Sequence, residues 1–131
     1  MGDGHHGWAA AEIVLFVLDC LICAQGNTLH FFPHAPEGLI KWGTNVSVKG
    51  VATALGKASC SLNYETEQRL ICSLSLEPVS DKQPAAVEIH LPFFAQRVMA
   101  ITQGLELNVK AEVGKTRIRC SSGNAMMLLE K

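Results

Sequence analysis

The sequence predicts a mainly β chain: an antiparallel β-sandwich of about eight strands preceded by one long N-terminal helix. Three observations carry this expectation. An apolar stretch from Ala9 to Cys23, interrupted only by Glu12 and Asp19, ends at Gly26-Asn27. After Gly26 the apolar residues recur at every second position to the end of the chain, the period of strands with one buried face. Turn-forming clusters separate these runs at short, regular intervals, the spacing of an antiparallel sandwich.

The helix is expected over residues 1–26. Ala9, Ala10 and Ala11 are strong helix formers, Asp3 stands where a cap or loop residue is wanted, and Gly26-Asn27 supplies a left-handed stop. The run is no secretion signal, because its leader holds Asp3 and neither lysine nor arginine. Uninterrupted apolar sequence lasts only from Ile13 to Leu18, far short of a bilayer span. A helix apolar around its whole circumference is expected to be buried on most sides. No second long helix follows to cover it.

The strands then follow in order. Thr28–Phe32 is short and aromatic, and Pro33 and Pro36 end it. A turn-rich connection runs from His34 to Gly43, with a short helical turn expected around Glu37–Lys41. Further strands are expected at 45–54, 58–64, 69–77, 85–91, 96–101, 105–113, 115–121 and 125–130. The alternation is cleanest at Leu70, Cys72, Leu74 and Leu76, at Val87, Ile89 and Leu91, and from Leu105 through Leu107, Val109 and Ala111 to Val113. The sandwich is therefore assigned to residues 27–131.

Composition narrows the function classes. The 131 residues are 48% hydrophobic and 18% charged, with eleven basic and twelve acidic side chains and a net charge of −1. That describes a packed chain, with no basic stripe for nucleic acid and no polybasic segment for a membrane surface. Five cysteines, Cys20, Cys23, Cys60, Cys72 and Cys120, are an odd number, which points to a reducing, cytoplasmic setting. Cys60, Cys72 and Cys120 fall at apolar positions and read as small buried hydrophobes. Cys20-Leu21-Ile22-Cys23 has the spacing of half a zinc site, but no second pair completes it. No metal or cofactor is expected.

Two further motifs have plainer readings. NVSVKG (45–50) fits half of a cyclic-dinucleotide-binding PilZ motif, yet no arginine precedes Arg69. Trp42 beside Gly43 is a sugar-stacking candidate, but a packing tryptophan at the sandwich edge is the plainer reading.

GDGHHGWAAAE (2–12), GNTLHFFPHAPE (26–37) and the closing PAAVEIHLPFFAQRVMAITQGLELNVK (84–110) together resemble the carboxyl-terminal end of bacterial glycoside hydrolases built on an (α/α)6 barrel. In that family a last barrel helix leads into a β-sandwich. The resemblance implies a non-catalytic C-terminal module that closes or stabilises a helical barrel, with no catalytic residue of its own. It implies that His5, His6 and Trp8 line a sugar subsite, with Glu12 on the same helical face as Trp8. The plainer roles are a packing Trp8, capping histidines, and Glu12 held by a backbone or arginine group. Met1 directly before the motif fits a truncated or re-started reading frame. The alternative is a free-standing sandwich that self-associates through residues 8–25.

Overall fold

The computed structural model describes residues 3–35, 38–79, 84 and 86–131, with helix side chains from residue 9 onward. Among the described residues one helix, α1 (Asp3–Leu21), precedes ten strands in two five-stranded sheets. The first sheet contains β1 (Ile22–Gln25), β2 (Thr28–Phe31), β6 (Ala86–Leu91), β9 (Lys115–Cys120) and β8 (Leu107–Glu112), in that spatial order. The second contains β3 (Val46–Thr53), β4 (Gly56–Thr66), β5 (Arg69–Pro78), β10 (Ala125–Glu130) and β7 (Arg97–Ala100). The β-sandwich expectation is borne out. One pair departs from it, since β2 and β6 run parallel.

The two sheets face each other across one core. Leu29, Phe31, Val87, Ile89 and Ile118 come from the first sheet; Leu62, Leu70, Cys72, Met127 and Leu129 come from the second. All are at most 1% exposed. Cys60, Cys72 and Cys120 are buried free thiols, as their apolar positions predict. Burial pushes the Cys120 thiol up to about 11, with a backbone hydrogen bond at Ser122 opposing it and Cys72 adding to it.

The helix ends sooner than expected. Ile22–Gln25 leaves the helical path as β1 and pairs with β2, Gln25 opposite Thr28. Gly26-Asn27 is therefore a two-residue hairpin loop, not a helix stop. Gly26, at φ +60°, takes the left-handed position such a tight loop requires. The sandwich thus begins at Ile22, whose side chain is wholly buried. Among the described side chains of α1, Leu18 and Leu21 in its last turn pack against the core, and Cys20 is also buried. The burial expected of the helix is absent at Ile13, Val14, Leu15 and Phe16, which are 58–69% exposed.

The alternation at 105–113 also misleads. Val109 is exposed on β8, the edge strand of its sheet, and Val113 is exposed in the turn between β8 and β9. Gly38–Ile40 forms turns and a bend, and Glu37 lies outside the described residues.

Thr116 is the one buried polar residue among those described. Its hydroxyl accepts from the Ala95 amide at 2.8 Å and donates to the Phe93 carbonyl at 3.0 Å, tying the connection after β6 to β9. Thr116→Val keeps the shape but orphans both groups. We expect a loss of about 2 kcal/mol in urea unfolding, against little change for Thr116→Ser.

Candidate functional site

The outer face of the first sheet carries a polar row. In its register Cys23 on β1 lies beside His30 on β2, His30 beside Glu88 on β6, Glu88 beside Arg119 on β9, and Arg119 beside Asn108 on β8. Strand geometry sends alternate residues to opposite faces. Leu29 and Phe31 therefore enter the core while His30 faces outward; Val87, Ile89 and Leu91 enter it while Glu88 and His90 face outward.

Three of these side chains converge. His30 Nδ1 and His90 Nε2 lie 3.1 Å apart and share a hydrogen bond, one ring nitrogen donating to the other. Glu88 Oε2 lies 3.5 Å from the first and 3.6 Å from the second. The imidazole rings stack with centroids 5.3 Å apart. The other carboxylate oxygen, Oε1, accepts from Arg119 Nη1 at 3.5 Å, which holds Glu88 from the far side. All three converging side chains are three-quarters buried or more.

The electrostatics favour a neutral imidazole at His90. Burial lowers its pKa, His30 and Arg117 lower it further, and Glu88 pulls the other way. A neutral imidazole offers a lone pair, the form in which histidine binds metals. Beside the cluster a cavity of about 220 Å³ is lined by His34, His90, Lys115, Thr116 and Arg117 among others. His30, Glu88 and His90 are also the group of side chains, among the described residues, whose donor atoms approach closely enough to hold one ion.

The residues singled out from the sequence lie elsewhere. His5, His6 and Trp8 belong to α1, but their side chains lie outside the described residues. Glu12 is exposed on the same helix. The cysteine pair is divided, with Cys20 buried at the end of α1 and Cys23 half-buried on β1. Trp42 takes the plainer role: its indole N–H donates to the Glu67 carbonyl at 3.0 Å, and its ring packs edge-on against Tyr64 and Phe93. Asn45 is equally structural, its Oδ1 accepting from the Tyr64 amide at 3.0 Å.

Sequence reasoning missed the histidine cluster. The available signal was Glu88-x-His90 on alternate, outward positions of an otherwise apolar strand, with His30 set the same way among apolar neighbours. The pairing of β2 with β6 was the missing link, since these strands are far apart in the chain.

Fold and site together define a two-sheet β-sandwich with an N-terminal helix and a His–Glu–His cluster on one outer face. No protein-family model, curated protein or solved structure matches this chain.

Proposed function

We propose that the chain is a non-catalytic β-sandwich module that seats its N-terminal helix among the helices of an (α/α)6-barrel carbohydrate enzyme. The observation that carries this reading is the exposure of Ile13, Val14, Leu15 and Phe16 on a helix whose described side chains meet the sandwich core in its last turn. Four consecutive apolar residues span the helix circumference, so docking of one face against a flat partner would leave the others in water. A ring of surrounding helices covers all of them. Burying these side chains contributes on the order of 4–7 kcal/mol to such an association. The resemblance of residues 2–12 to a last barrel helix supports the barrel as partner, and carbohydrate as what that partner handles. No helix among the described residues is long and apolar enough to cross a membrane.

The test is sedimentation of the purified full chain against I13K/F16K. The wild-type chain is expected to form heterogeneous, concentration-dependent assemblies, and the substituted chain to be monomeric with an unchanged circular-dichroism spectrum. A barrel chain added to the wild type should dissolve those assemblies into one defined complex. A monodisperse wild-type monomer at high micromolar concentration rules the reading out. A discrete, stable homo-oligomer transfers the helix to self-association instead. The cut for any truncated chain belongs before Leu18, because removing residues 1–25 would take β1 and the buried Ile22 with it.

A further inference from the structure

We propose that His30, Glu88 and His90 bind a divalent first-row transition-metal ion of the zinc class on the outer face of the first sheet. This inference is independent of what the helix docks against, because the three ligands sit on β2 and β6 and no part of α1 takes part.

The three donor atoms form a triangle with sides of 3.1, 3.5 and 3.6 Å. A single point off its plane lies about 2.1 Å from all three, the usual length of zinc bonds to imidazole nitrogen and carboxylate oxygen. The angles subtended there run from about 95° to about 120°, close to those of a tetrahedral site. Two imidazoles and one carboxylate are a borderline donor set that suits zinc, cobalt, nickel and iron ahead of magnesium or calcium.

The frame holding the ligands is stiff. His30 alternates with Leu29 and Phe31, and Glu88 and His90 alternate with Val87, Ile89 and Leu91, all five of them at most 1% exposed. Ligands mounted on anchored, neighbouring strands lose little freedom on binding. Arg119 holds the second oxygen of Glu88, the outer contact that orients a metal-bound carboxylate. When the ion enters, it replaces the hydrogen bond between the two ring nitrogens. The proton on the donating nitrogen moves to the far nitrogen of the same ring, so both facing nitrogens present lone pairs.

Three protein ligands leave the remaining coordination position to water or an added ligand. The cluster is partly open to solvent, and His90 also lines the neighbouring cavity with Lys115 and Arg117. The ion therefore has a route in from that side.

The experiment is a titration of the chelator-stripped full chain with Co²⁺, followed by its visible absorption, and by Zn²⁺ competing for the same site. One ion per chain is expected, and Zn²⁺ should displace it and raise the melting temperature. H30A, H90A and E88Q should each weaken binding by 100-fold or more and abolish the thermal shift. E88Q preserves side-chain shape, so it decides the matter should either alanine variant lose its fold. Absence of binding overturns the proposal. So does binding that survives all three substitutions, or that is lost in H5A/H6A or C20S/C23S while H30A and H90A retain it.

Discussion

Gly56→Ala should be among the most destabilising single substitutions in the sandwich, with a loss of about 3–5 kcal/mol in urea unfolding. Gly56 opens β4 after the two-residue loop from β3, and its φ is +136°. A side chain at that angle is strained whatever space surrounds it. Here there is none: an added Cβ would collide with the backbone carbonyl of Glu77 and lie 2.8 Å from Pro78 Cα. Both obstacles are backbone of β5, paired with β4 along its length, so neither can move without breaking the ladder. The loop itself is tied down, with Thr53 Oγ1 donating to the Gly56 carbonyl at 2.8 Å and accepting from the Leu55 amide at 3.2 Å. Gly114→Ala separates the two contributions. Gly114 also has a positive φ, +70°, but nothing stands within 4 Å of its added Cβ. It should lose only the conformational part, about 1–2 kcal/mol. Equal losses at the two positions would show that the close approach to β5 is unimportant.

What could be read in advance follows from how locally each feature is specified. Leu70, Cys72, Leu74 and Leu76 announce a strand with one buried face, and all four are buried on β5. Val87, Ile89 and Leu91 do the same on β6. Burial is not a local property, however, and the equally regular run at Leu107, Val109 and Ala111 lies on an edge strand with little above it. Ile22–Gln25 looks helical in sequence because the apolar run of the helix carries on into Ile22 and Cys23 and the expected stop comes only at Gly26-Asn27. Its strand conformation comes from pairing with β2, a tertiary contact that overrides the helical tendency before it.

The cluster was hidden for a related reason. His30 and the Glu88–His90 pair are each ordinary outward-facing polar residues on a half-buried strand. They become a site only because a parallel pairing sets His30 beside Glu88 across a long stretch of chain that builds most of the second sheet. The apolar helix was legible in the opposite sense. Its composition showed a demand for covering, and the exposure of Ile13–Phe16 is that demand in structural form.

Phe31→Ala is expected to cost about 3–5 kcal/mol, a large part of the roughly 5–15 kcal/mol that holds a domain together. Phe31 is completely buried on β2, opposite Ile22 on β1 and Ile89 on β6. Truncation removes an aromatic side chain at the junction of three strands, and strands hydrogen-bonded on both sides cannot collapse into the space. The adjacent Phe32 cannot compensate. In a regular strand it would face away from Phe31, yet both are buried, because Phe32 adopts φ +58° and turns its ring back inward. That backbone is strained for a residue with a Cβ, by about 1–2 kcal/mol, and the burial of the ring is what offsets it. Loss of packing beside Phe32 removes part of that offset. Phe31→Leu, which leaves most of the volume filled, should cost less than half as much in the same urea titration. Since His30 is held outward by the burial of Leu29 and Phe31 on either side, Phe31→Ala should also weaken Co²⁺ binding well below the unfolding midpoint, while Phe31→Leu leaves it near the wild-type value. If Phe31→Ala lowers stability but leaves Co²⁺ affinity unchanged, the core beneath β2 does not position the histidine.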